Sequence, residues 1–503
     1  MKKIEIGKKI TVEDVYNVSF NNDVKVELNP SALNGINKSR KIIEKVLNGK
    51  GSIYGINTGF GSLSDVRVEK EDLKKLQVNL IRSHCAGTGK PIEDKYARAM
   101  MVLRAHNISL GYSGVREQVI NSLLFFLEHN IIPIIPEKGS VGASGDLAPL
   151  AHLTLCLIGE GDVIYRGKQR KACEVIRELK GEKLELEAKE GLALINGTQF
   201  MTAFACLGLM EAESLLKHAD IIAALTVEGV KGTFVPFDIR VSQIRPHGGQ
   251  LTVAKNLSAL SKNSEIAESH KNCNRVQDPY SLRCIPQVHG AVRDAVGYLR
   301  KTVETEINSV TDNPLVFDDC IISGGNFHGE PIALALDFAS IAMSEIGSIS
   351  ERRMDKMLTP EFSGGLPAYL VRNSGLNSGF MIAQYTSAAL VNENKILSYP
   401  SSVDSIPTSN NKEDHVSMGA TGARKFVQIL DNVETILAIE LMAAVEACQQ
   451  RHPLKPAKPL IKAIERVREL VEPLHEDRVL SGDIQKIKEL IKSKKLLSEV
   501  NIE

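Results

Sequence analysis

The stretch RKFVQILDNVETILAIELMAAVEACQ, residues 424–449, places apolar side chains at Phe426, Ile429, Leu430, Val433 and Leu437. Counted from the first, these offsets of 3, 4, 7 and 11 lie on one face of an α-helix. A helix of this length, about seven turns, buries such a stripe only against other long elements. Residues 291–310, 331–352 and 380–397 repeat the pattern, several with few charges. Together they predict a mainly α fold: a long central helical bundle.

Outward from that core the pattern changes. Residues 3–6 and 24–28 alternate as short strands do, and a helix is predicted over 30–47. The segment GSIYGINTGFG, residues 51–61, is too rich in glycine for a regular element. Helical spacing returns over 96–108, 115–127 and 148–158, with Pro133 and Pro136 as stops. Residues 162–165 suggest a short hairpin, and the charged run 166–190 an exposed loop. The division expected is a mixed, mostly helical N-terminal region over 1–200, the bundle over 201–453, and a peripheral helical segment over 454–503.

Composition narrows the function classes. Among 503 residues, 43% are hydrophobic and 24% charged, and Lys+Arg equals Asp+Glu at 61 each. That balance gives no basic field for nucleic acid or an anionic membrane. No uncharged apolar run approaches the roughly 18 residues of a membrane span, and no secretory signal follows Met1. The eight cysteines are scattered with no C-x-x-C pair, as in reduced, buried thiols of a cytoplasmic protein.

Chemistry concentrates in GSVGASGDLAPL, residues 139–150. One reading is purely structural: Ser144 and Asp146 are good N-cap residues for a helix that follows. The other is covalent. In a strained turn the Gly145 nitrogen can attack the Ala143 carbonyl carbon. Loss of two waters closes a five-membered ring and turns Ser144 into an exocyclic methylene. Gly145 has no Cβ to block the approach, Ser144 supplies a hydroxyl that can leave, Ala143 is small, and Asp146 can relay a proton. The product, 4-methylidene-imidazol-5-one (MIO), is an electrophile that no ordinary side chain provides.

The blocks YGINTGFG (54–61), GASGDLAPL (142–150), INGT (195–198), QDPYSLR (277–283) and TDNP (311–314) resemble, in the same order, those of the aromatic amino acid ammonia-lyases. The resemblance covers roughly residues 5–480. It implies elimination of ammonia through an MIO group formed from Ala143-Ser144-Gly145 with Asp146 beside it. It also implies a homotetramer whose active sites are shared between subunits.

Two further blocks bear on the substrate. SHCAG (83–87) resembles the histidine-selective branch, where His84 would face the substrate imidazole as donor or acceptor. EDHVSM (413–418) matches the same branch, and Glu413 would hold the substrate ammonium or act on a proton. The structural alternative for Glu413 is an acid at a helix start, favoured by the macrodipole. ISGGNFHGE (322–330) also resembles that branch and would set Phe327 near the prosthetic ring. The substrate implied is L-histidine and the product trans-urocanate. Lys412 departs from the branch, which usually carries glutamine there, and sets a cation beside the site.

The resemblance assigns the remaining roles. Arg283 would clamp the substrate carboxylate with its planar fork. Tyr54 would take the β-proton, which requires nearby positive charge or hydrogen bonds because a phenol titrates near 10. Tyr280 would assist in proton positioning or ring formation. Asn196 and Gln277 would donate to the prosthetic carbonyl or to the substrate carboxylate. No metal is expected, because His328-Gly-Glu330 and Asp414-His415 lack a ligand spacing. No nucleotide is expected either, since the 55–61 loop lacks the Lys-Ser/Thr ending. The competing readings are a tyrosine or phenylalanine ammonia-lyase, a 2,3-aminomutase with the same group, or a non-catalytic helical scaffold.

Overall fold

The computed structural model describes residues 3–49, 53–59, 61, 66–273, 275–500 and 502. Gly51, Ser52 and Phe60 of the glycine-rich segment therefore lie outside the described residues. Among those described, twenty α-helices dominate, as the long periodic segments require.

The chain forms two compact units. The first comprises residues 1–210, 299–337 and 400–424, and the second 211–298, 338–399 and 425–503. Residues 299–337 and 400–424 cluster with the N-terminal 210; Asn107 Nδ2 donates to Ser309 O at 2.7 Å, and Met418 N to Val141 O at 2.9 Å.

In the first unit, strands Lys3–Ile6 and Lys25–Leu28 pair in parallel, with Ile4 opposite Val26. Helix Asp94–Ser109 is buried without a break from Tyr96 to Ser109 and packs on Val12–Phe20 and Glu117–Glu128. Helix Leu147–Leu157 packs against Leu73–His84 and Glu190–Ile195. That packing gathers the ends of three elements: the loop that enters 147, His84, and the residues after 195. Helix Glu117–Glu128 stops ahead of Pro133 and Pro136, which stand in the short strands Ile132–Pro133 and Pro136–Lys138.

The charged run 166–190 departs from the exposed loop expected of it. After the hairpin Asp162–Tyr165 with Lys168–Lys171 comes a helix, Ala172–Glu178, and Leu184 and Leu186 are buried. Lys189 and Glu190 are fully buried too. Their charges are satisfied internally: Lys189 Nζ meets Asp312 Oδ2 at 2.7 Å, and Glu190 Oε2 accepts from Arg116 Nη2 at 2.7 Å. Buried charges persist when paired in this way.

The second unit holds the greater part of the long helices Ile285–Glu306, Glu330–Leu358 and Gly419–Gln449. Within it Arg353 and Glu440, both buried, pair at 2.6 Å, and Glu440 also accepts from Thr226 at 2.7 Å. The tail folds as helices Lys458–Arg468, Ser481–Lys492 and Lys495–Glu499. One 31-residue helix, Gln199–Gly229, is absent from the periodicity reading. It is buried nearly all round, with His218, Asp220 and Glu228 inside as well, so no solvent-facing polar stripe reveals it.

All eight cysteines are free. Burial holds for Cys156, Cys206 and Cys448 but not for Cys273 and Cys320, which are exposed. Among the described residues one helix, Glu330–Leu358, is long and apolar enough to cross a membrane by length and composition, and most of it is buried inside the protein.

Candidate active site

The loop 139–146 reaches its conformation through glycine. Gly142 and Gly145 have φ of +66° and +72°, where side chains with a Cβ are strained. Space forbids a Cβ as well: at Gly145 it would lie 2.2 Å from Gly197 O, and at Gly142 2.3 Å from Ser417 Oγ. The loop is thus pressed between two partner segments of the first unit.

One partner is INGT. Gly145 and Gly197 face each other in a parallel bridge, and Asp146 N donates to Gly197 O at 2.7 Å. Asn196 Nδ2 donates to Ser144 O at 3.0 Å. The other partner is EDHVSM. Met418 N donates to Val141 O at 2.9 Å, and Ser417 Oγ to Gly142 O at 2.9 Å. Gly329 N reaches the same carbonyl at 3.1 Å, which holds the segment carrying Phe327 against the loop.

Between these partners the Ser144 hydroxyl donates to Glu413 Oε1 at 2.8 Å. Thr408 Oγ1 donates to Glu413 Oε2 at 2.9 Å, so each carboxylate oxygen is engaged. Backbone bonds between Thr408 and Glu413 close a tight turn in which Ser409, Asn410 and Asn411 all have positive φ. Asparagine tolerates that region better than most residues. The helix begins only at Gly419, so Glu413 is not the helix-start acid of the structural alternative. Lys412 is exposed.

Asp146 does not cap the helix it precedes. Its carboxylate, fully buried, accepts from Ser140 Oγ at 2.7 Å and from Met201 N at 3.0 Å, at the start of helix Gln199–Gly229. Burial pushes its pKa up to about 6; bonds from Met201, Ser140 and Phe200 oppose this, and Glu306 adds to it. An acid poised there can hold or release a proton near neutrality.

His84 ends helix Leu73–His84, and its Nδ1 lies 2.8 Å from Leu80 O. A carbonyl only accepts, so Nδ1 carries the proton. Burial lowers the pKa of His84, while the Leu80 bond and the charge of Glu413 raise it. In the neutral ring this leaves Nε2 as an acceptor. Tyr54 responds to the same carboxylate. Burial raises its phenol above the usual value and Glu413 adds to the rise, while a backbone hydrogen bond from Gly61 lowers it. Of the two aids a phenolic base requires, the first unit supplies the hydrogen bond.

Tyr54, His84, Ser144, Asn196, Phe327 and Glu413 therefore belong to one unit. Gln277, Tyr280 and Arg283 belong to the other. There the Arg283 guanidinium lies 4.8 Å from the Tyr280 ring centroid, a cation–π contact, and the Tyr280 side chain is 71% exposed. Thr408 and Ser417, missed by the sequence reading, hold the site from within matched or adjoining blocks. The asparagine-rich turn after Thr408 is the signal that could have found the first. No group of three or more His, Cys, Asp or Glu arranged for a metal occurs among the described residues.

The profile of the family described as aromatic amino acid lyase matches residues 10–469. A histidine ammonia-lyase of Myxococcus xanthus (strain DK1622) is 49% identical, over 98% of this chain and 97% of its own. The crystal structure of histidine ammonia-lyase from Trypanosoma cruzi superposes with a TM-score of 0.92 at 41% identity, covering 99% of this chain and 95% of that one. The tyrosine aminomutase of Streptomyces globisporus superposes with a TM-score of 0.94 at 37% identity, covering 99% and 98%.

Proposed function

The chain belongs to the aromatic amino acid lyase family, and from that premise we propose that it eliminates ammonia from L-histidine to give trans-urocanate. The single observation that carries the proposal is the 2.8 Å bond from the Ser144 hydroxyl to Glu413. It joins the residue that must lose its oxygen to the carboxylate characteristic of the histidine branch.

The surroundings support MIO formation from Ala143-Ser144-Gly145. Gly145 is backed so closely by Gly197 that a Cβ is excluded. Asn196 Nδ2 is already on the Ser144 carbonyl, which would become the ring carbonyl, and Asn196 Oδ1 is buried with no partner among the described residues. Once formed, the group supplies an electrophilic methylidene carbon. Glu413 binds the substrate ammonium with an oxygen freed when the Ser144 hydroxyl departs. His84 Nε2 accepts the imidazole N–H. Tyr54 takes the β-proton, with the substrate ammonium as the nearby cation that offsets its raised pKa. Phe327 packs beside the ring, and Asp146 manages protons during dehydration.

Arg283 clamps the substrate carboxylate, with Gln277 and Tyr280 beside it. We place these three in sites shared between subunits of a homotetramer in the cytoplasm. Support comes from the exposure of Tyr280 and from exposed apolar side chains at Leu334, Phe338 and Ile341, spaced 4 and 7 along one helix. No nucleic acid, membrane, metal or nucleotide enters this reading. A tyrosine or phenylalanine lyase, or an aminomutase, is disfavoured by Glu413 and by the identity to histidine ammonia-lyases.

The test has two parts. Intact-protein mass should fall short of the encoded chain by two waters. Incubation with L-histidine, L-tyrosine and L-phenylalanine should give urocanate faster than coumarate or cinnamate; the reverse order would overturn the substrate.

A further inference from the structure

Arg104 lies in the middle of helix Asp94–Ser109 and is fully buried. Its Nη1 donates to Asn196 O at 3.0 Å and to Gln199 Oε1 at 2.7 Å, and its Nη2 to Asn107 Oδ1 at 3.0 Å. All three acceptors are neutral. The neighbouring cation, Lys189, is paired directly with Asp312. A guanidinium is expensive to bury, and neutral acceptors repay that less than a carboxylate does. Its retention calls for an account beyond stability.

The contacts supply one. A Cβ on Gly197 would lie 2.4 Å from Arg104 Nη1, and a Cβ on Gly145 would lie 2.2 Å from Gly197 O. Guanidinium, Gly197 backbone and Gly145 backbone are therefore in series, with no room between them for even a methyl group. Asn196, whose carbonyl Arg104 holds, also reaches the loop through Nδ2 on Ser144 O.

We propose that Arg104 is a positioning residue for ring closure: it fixes the Asn196–Gly197 segment as a backstop that keeps Gly145 folded toward Ala143. This rests on the reading above that the loop cyclises. In that reaction the Gly145 N to Ala143 C bond forms, and the amide proton passes to the Ala143 oxygen. That hydroxyl leaves as water with the Ser144 amide proton, giving the C=N bond. The Ser144 Oγ leaves as a second water with the Cα proton, giving the methylidene. No oxidant is needed, and Arg104 exchanges no proton. Its burial lowers its pKa only to about 10, with Asp312 opposing the fall, so it stays a cation at neutral pH.

The readout is the fraction of soluble, folded full-length chain lacking two waters, followed by mass after synthesis and alongside thermal melting. Arg104→Lys keeps the charge but loses the planar fork. It should cyclise about ten- to a hundredfold more slowly, the scale of one charge-assisted hydrogen bond. Asn107→Ala removes one anchor of Arg104 and should slow cyclisation less, though measurably. Val102→Ala makes a cavity about 200° round the same helix; it should lower the melting temperature and leave cyclisation at the wild-type rate. If Arg104→Lys yields no folded protein, Asn107→Ala decides alone. Wild-type cyclisation rates in folded Arg104→Lys, or in Asn107→Ala, overturn the proposal, as does equal slowing in Val102→Ala. Wild-type protein of unmodified mass would instead overturn the underlying reading of the loop.

Discussion

The hydroxyl of Ser144 and the carboxylate of Glu413, 269 positions apart in the chain, meet at 2.8 Å. This contact ties the proposed origin of the electrophile to the acid expected to read the substrate. On the reading proposed above, Glu413 has two tasks at different times: accepting from the Ser144 hydroxyl before the ring exists, and facing the substrate after that oxygen has left.

Ser144→Ala removes the leaving hydroxyl. The chain should keep its full mass and lose turnover by at least about a thousandfold, some 4 kcal/mol of barrier. Near-wild-type kinetics in this variant would falsify the covalent mechanism.

Glu413→Gln keeps the shape and can still accept from Ser144. It loses the negative charge that would hold an ammonium. Histidine turnover should fall by roughly a hundredfold, the scale of a charged hydrogen bond, while the melting temperature barely moves. Unchanged steady-state kinetics would remove Glu413 from the site.

Thr408→Val strips the donor from Glu413 Oε2 and preserves the side chain's volume. Once the Ser144 hydroxyl has left in ring formation, the carboxylate then has neither of these two hydroxyls to orient it. Turnover should drop about tenfold, measured as kcat/KM for histidine. A drop matching that of Glu413→Gln would mean the whole turn had collapsed, and circular dichroism with thermal melting would reveal it.

Asp146 gives a pH dependence with a definite sign. Burial lifts its pKa from an ordinary 3.8 to about 6, so the native chain holds the proton more tightly than the unfolded chain. Its contribution to stability is complete below the unfolded value and is lost as the pH rises through the folded one. The stability of wild type relative to Asp146→Asn should therefore decline by roughly 3 kcal/mol from about pH 3.5 to pH 7. Urea unfolding of both proteins at several pH values measures it. A difference that stays flat or grows with pH contradicts the assignment.

Much of the fold was legible because amphipathic helices announce their buried face. The stripe of Phe426, Ile429, Leu430, Val433 and Leu437 is fully buried in helix Gly419–Gln449. The same logic missed Gln199–Gly229, which is buried on nearly every side, its polar residues included, so that no alternation of buried and solvent faces shows in the sequence. It also misjudged Lys189 and Glu190, because charge counts do not show that Asp312 and Arg116 await them. The aminomutase and histidine ammonia-lyase folds superpose equally well on this chain, so the backbone does not discriminate substrates. On the reading proposed above, side chains such as His84 and Glu413 carry that distinction.

Sequence alone determined the chemistry available at Ala143-Ser144-Gly145: residue types, their order, and the blocks that accompany them. Only the tertiary structure decided what each group faces. It put Ser144 on Glu413, turned Asp146 from its own helix to the start of another, and set the buried Arg104 behind Gly197. The reason is physical. Local sequence governs backbone preference and the supply of donors and acceptors, whereas hydrogen bonds between residues 50 to 270 positions apart exist only once packing has brought their elements together.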